Sequence, residues 1–185
     1  LELNSFRPAE AQRIIEQMIV ANPESTDAYV MQYQFLKNTG KNEEARVAID
    51  KAFELKPNDA SVLNAKGAEA IADFQLAIAD AKGDDADQLR KDAQKHLAEA
   101  AKYFAKGLEE HPDRIDFFER AAWIESLREK PDDALAIINK GIAAFPMNEK
   151  LNRLGMPAAL GLLNLKIEIL LGQKDFEGVK KEIEE

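Results

Sequence analysis

The sequence predicts an all-α chain built of stacked antiparallel helix pairs, one pair lengthened. Three observations predict it. Pro57 follows Pro23 by 34 residues, and Pro146 follows Pro112 by the same interval. An alanine stands twelve residues before each proline: Ala11, Ala45, Ala100 and Ala134. Four residues after each alanine comes a bulky apolar side chain: Ile15, Ile49, Phe104 and Ile138. A fixed period of this size marks a repeat array, in which each unit buries its apolar face only against its neighbours. The recurring alanine lets a second helix approach closely, and the apolar residue one turn later fills the groove beside it. Proline closes the unit because it cannot donate the amide that a helix interior requires.

The elements follow in order. Residues 1–23 form a partial unit whose second helix covers Pro8–Ala21, with proline in the first turn where it is tolerated. Residues 24–57 form the first complete unit. Its helices are expected over Thr26–Asn38 and Asn42–Leu55, entered through Ser25 and Asn42, with Gly40 in the turn between them. Residues 58–112 form a unit 21 residues longer than the period. The surplus predicts two long helices, over about 59–82 and 85–110, turning at Lys82-Gly83-Asp84-Asp85. About ten extra residues per helix project roughly 15 Å. Ile71, Phe74 and Ile78 on one helix and Leu89, Ala93 and Leu97 on the other form the seam of this hairpin. Residues 113–146 return to period, with Pro131 starting the second helix. Residues 147–185 read as an irregular, truncated unit. Gly155 and Pro157 interrupt its expected first helix, residues 157–171 are richly apolar, and a last helix begins near Asp175. Both ends are expected to be cut from a longer array.

Large apolar residues open the first helices (Tyr29, Leu63 and Phe118), followed four positions later by Tyr33, Gly67 or Ala122. With the segment Gly40-Lys41-Asn42-Glu43-Glu44-Ala45, the series resembles the tetratricopeptide repeat, W-x2-L-G-x2-Y, then A-x3-F, then P. Gln32, Lys66 and Glu125 stand where that family usually places Leu or Tyr. The resemblance implies a right-handed α-solenoid whose first helices line a concave wall. It assigns to that wall Asp27, Val30, Met31, Gln34, Lys37 and Asn38 in the first complete unit. Ser61, Asn64, Ala65 and Ala68 follow in the second, and Asp116, Glu119, Arg120, Trp123, Ser126 and Leu127 in the third. The partner-binding residues expected among them are Val30, Met31, Gln34, Lys37, Asn38, Asn64, Glu119, Arg120, Trp123 and Leu127. Trp123 stands out, because an exposed indole buries much area on binding and keeps one polar handle. A structural role for it is sealing the contact with the lengthened unit. The carboxylate clamp known in chaperone-binding members does not fit: Val30, Gln34 and Ala65 replace its lysine and asparagines, and Arg120 alone remains.

Composition narrows the function further. A net charge of −9 and no basic stripe argue against nucleic acid and for a protein or peptide partner. The chain has no cysteine, so neither a disulfide nor a thiolate site exists. No apolar run reaches the length of a membrane span. Four serines without an adjacent histidine supply no nucleophile, and residues 155–161 lack the lysine of a phosphate loop. His96 with Asp92 and Glu99 has the spacing of a weak metal site, read here as a solvated helix face, and His111 precedes Pro112 in a turn. No cofactor and no enzymatic activity are expected. The function expected is that of a protein–protein interaction scaffold binding a peptide or helix along the concave face. Two other readings stand beside it: a positioning arm for an enzyme outside these residues, and self-association into a homo-oligomer through the hairpin or a cut end.

Overall fold

The computed structural model describes residues 8–83, 85–146 and 158–184, and its regular elements among these are nine helices without a strand. They are α1 Pro8–Ala21, α2 Thr26–Asn38, α3 Asn42–Leu55, α4 Ala60–Asp80, α5 Ala86–Glu110, α6 Ile115–Leu127, α7 Pro131–Ala144, α8 Leu160–Gly172 and α9 Phe176–Glu184. The chain divides into two compact units, one ending at Glu69 and one starting at Ala70, a boundary that falls within α4.

In the first unit α2 packs against α1 and α3. The repeated alanine and its apolar partner lie at the centre of the packing, Ala45 and Ile49 both being wholly buried. Tyr33, Leu36, Ala52 and Val62 complete that core. In the second unit α6 packs against α5, α7 and α8, and α8 also meets α7 and α9. Ala100, Phe104, Ala134 and Ile138 are again wholly buried. From Ala45 onward the repeated alanines and their apolar partners are therefore a packing signal: solvent does not reach them, whereas Pro23, Pro57 and Pro112, which mark the unit ends, are exposed.

The turns show the same regularity. Lys41 N–H donates to Leu36 O, Lys130 N–H to Glu125 O and Asp175 N–H to Leu170 O, each at 2.9 Å. Each turn passes through one left-handed residue: Gly40 at φ 77°, Glu129 at 59° and Lys174 at 62°. Only the first uses the glycine that this conformation favours. Ser25 caps α2 as expected, its Oγ accepting from Ala28 N–H at 3.3 Å. Asn42 does not cap α3; it is the first helical residue, and Lys41 before it makes no side-chain cap bond. The reason is the turn itself, which already delivers the chain into α3 through the Lys41 to Leu36 bond. Asp59 and Asp175 also act as caps, accepting from Ser61 and Gly178 N–H, both at 2.9 Å.

The lengthened pair runs to 21 residues in α4 and 25 in α5, against 13 and 14 in α2 and α3. Ile71, Ala93 and Leu97 of the expected seam are buried, whereas Ile78 and Leu89 are 36% and 41% exposed. Gly83 turns at φ 81°; Asp84 lies outside the described residues. The last unit departs from the simple period. Whereas α2 and α6 begin three residues after Pro23 and Pro112, α8 begins fourteen after Pro146, a displacement of eleven. Gly155 and Pro157, expected to interrupt its first helix, lie outside the described residues. Once begun, α8 keeps the 13-residue length of α2 and α6. Among the described residues no helix is long and apolar enough to cross a membrane.

Candidate partner-binding site

The wall residues expected in the first unit divide into two groups. Met31, Gln34 and Asn38 are exposed, and Asn64 is partly exposed. Val30 is instead buried in the core. Lys37 is engaged internally, its Nζ lying 2.9 Å from Glu69 Oε1. Glu69, a buried acid absent from the sequence reading, also accepts from the Tyr33 hydroxyl at 3.0 Å and stands 3.4 Å from Arg46 Nε. Burying a carboxylate is costly unless cations and donors surround it, and here two cations and a phenol do so. The unusual Lys66 is likewise paired, reaching Asp50 at 2.7 Å and lying over the Phe53 ring. Glu125, the other charged departure from the family pattern, accepts from Arg128 at 2.6 Å.

The wall residues expected in the second unit lie on α6. Arg120 holds its guanidinium over the Phe104 ring at 5.8 Å. Glu119 is half-buried against α8, where a Cβ at Gly161 would meet its carboxylate. Burial raises the pKa of Glu119 above its ordinary value; Asp116 adds to the rise and Arg120 opposes it. Leu127 is half-buried. Trp123 is 38% exposed and lines a cleft of about 500 Å³. Ser126 of α6, Glu129 and Pro131 from the turn into α7, and Leu165, Glu168 and Ile169 of α8 line it with the indole.

Those α8 residues were missed in the sequence because the frame slips by eleven residues before α8. A signal was available. Val179 and Ile183 of α9 repeat the spacing of Ala45 and Ile49, and counting back from them places the preceding first helix over Leu160–Gly172. On that count Glu168 occupies the helix position held by Gln34 in α2 and Trp123 in α6. Among the described residues no group of three or more His, Cys, Asp or Glu is placed to hold a metal. Asp92 pairs with Lys95 and Gln88 instead of joining His96.

No family model matches the chain, and no curated protein matches it in sequence. Solved structures do resemble it. Pseudomonas aeruginosa PilF superposes with a TM-score of 0.67 at 15% identity, over 95% of this chain and 65% of its own. TTC0263, a thermophilic TPR protein of Thermus thermophilus, gives 0.63 at 13% identity, over 95% and 79%. YrrB, a TPR protein with an unusual peptide-binding site, gives 0.62 at 15% identity, over 91% and 70%. The chain thus spans about two thirds of the length of PilF. With its paired helices, its repeated alanine contacts and its three matching turns, the chain has the fold of the tetratricopeptide-repeat proteins.

Proposed function

We propose that the chain is a protein-binding scaffold that holds a peptide or helical segment along the wall of first helices, with the Trp123 cleft as anchor point. The observation that carries this reading is an indole left over one-third exposed beside a groove walled by Leu165 and Ile169. Large apolar side chains in monomeric surfaces are normally scattered, and an indole at a concave, apolar-walled site is the usual form of a binding anchor. YrrB, of the same fold, is a TPR protein with a peptide-binding site, which supports the reading in kind. Preformed helices lose little entropy on binding, so shape supplies specificity. The reading includes no catalytic step and no nucleic acid.

Trp123 is the sole tryptophan of the chain, so its emission reports on this cleft alone. The test is selection of peptides from a displayed library, followed by titration of each synthetic peptide against Trp123 fluorescence. Binding peptides are expected to shift the emission, and Trp123→Ala is expected to weaken them at least about tenfold. Circular dichroism of the variant checks that it folds. Peptides that bind equally well to folded Trp123→Ala would overturn the assignment and move attention to the exposed hairpin residues Leu76, Ile78 and Leu89.

A further inference from the structure

We infer that the segment held at Trp123 is cationic, presenting one apolar side chain to the cleft with lysine or arginine close beside it. The inference rests on the reading of the cleft as a peptide site and adds the chemistry of its occupant.

The apolar part of the requirement comes from Trp123, Leu165 and Ile169. The charged part comes from Glu129 and Glu168, the two ionisable side chains of the cleft; no lysine or arginine lines it among the described residues. Neither acid makes an ion pair among the described residues. Other acids on the helices around the cleft are neutralised within the fold: Asp116 pairs with Arg114, Glu125 with Arg128, Asp133 with Lys130 and Glu182 with Lys166. Both are exposed, so neither is desolvated before a partner arrives.

The backbone at Glu129 is left-handed, as it is at Lys174 in the third turn. Glu129 sits at φ 59°, the place that Gly40 fills in the matching turn of the first unit. A side chain there costs backbone energy that glycine would not, and among the described residues the Glu129 carboxylate offsets none of it through an ion pair. A cation on the occupant would meet two carboxylates and an indole face together, and would be attracted by each. An acidic segment would be repelled at the same spot. The chain's net charge of −9 draws cationic segments toward it over longer range.

The test uses the whole chain and a synthetic nonapeptide library with a central leucine or phenylalanine and randomised flanks. Retention on the chain is compared with retention on Trp123→Ala and on the double variant Glu129→Gln/Glu168→Gln, all checked for helicity. Lysine and arginine are expected to be enriched next to the central residue in Trp123-dependent peptides. The double variant is expected to bind these peptides roughly 3- to 10-fold more weakly, and 0.5 M salt to have a similar effect on the parent. Trp123-dependent peptides with no basic preference, or with affinity unchanged in the double variant, would overturn the inference while leaving the cleft as a peptide site. Absence of any Trp123-dependent peptide would overturn both.

Discussion

The two compact units fill the same repeat positions with opposite choices of size. In the first unit Ala52 of α3 and Val62 of α4 share one core. At the corresponding places of the second unit stand Gly107 with Phe117 and Gly141 with Leu162. A Cβ at Gly107 would run into the Phe117 ring, and one at Gly141 into Leu162 and Phe118. One residue shrinks where its partner grows, which keeps the contact filled at interior density. The walls differ in a parallel way. The first unit turns its polar groups inward around Glu69, whereas Glu129 and Glu168 of the second unit's cleft make no ion pair among the described residues. A repeat position therefore fixes where a side chain stands, and the neighbouring residues decide whether its charge is paired within the fold or left at the surface.

The largest effect is expected from breaking the inward-turned network. Glu69→Ala leaves two cations and a phenol without their acceptor. Removing one member of a buried ion pair typically costs about 3–5 kcal/mol, and the partial exposure of Lys37 and Arg46 lowers this to roughly 2–4 kcal/mol. Urea denaturation measures it, and a loss under about 1 kcal/mol would show that Glu69 is not what holds the first unit's polar groups inward.

The size exchange is tested by a double-mutant cycle. Gly107→Ala is expected to cost roughly 1–3 kcal/mol through overpacking. Adding Phe117→Val recreates the pairing of the first unit, so the double variant should lose less than the two single losses added together. Additive losses would separate the two positions and end the comparison at this contact.

Glu129→Gly sharpens the contrast between the walls. Glycine at a left-handed position should raise stability by about 0.5–1 kcal/mol in thermal or chemical denaturation. A destabilised variant would mean that the Glu129 side chain supports the turn.

The smallest effect belongs to Glu119, whose raised pKa comes first from burial. An acid with a higher pKa in the folded state binds its proton more tightly there, so stability falls as pH rises through that folded value. Glu119→Gln should therefore match the parent near pH 4 and exceed it at pH 7. The gain is a few tenths of a kcal/mol, since solvent screens a half-exposed group. An advantage that does not depend on pH would assign the effect to packing.

Much of the fold was legible because the repeat is written in buried residues. Ala45, Ile49, Ala100, Phe104, Ala134 and Ile138 recur in the sequence for the same reason that they are inaccessible in the structure. The turns were partly hidden: Gly40 announces its left-handed backbone, but Glu129 and Lys174 adopt the same geometry without a glycine to mark it. The cleft was half visible. Trp123 follows from its place in the repeat, whereas Leu165, Glu168 and Ile169 depended on finding α8 after an eleven-residue slip. Glu69 was not legible. Its partners Tyr33, Lys37 and Arg46 lie 36, 32 and 23 residues away, and nothing in the local pattern marks the acid as buried.

The slip before α8 also bears on how this chain can be altered. Eleven residues more than the period separate Pro146 from α8, yet α8 packs on both α6 and α7 and keeps the standard helix length. The place of α8 is thus set by its buried face, Leu162, Ile169 and Leu170, and not by its spacing from Pro146, so a change to this helix acts through that face.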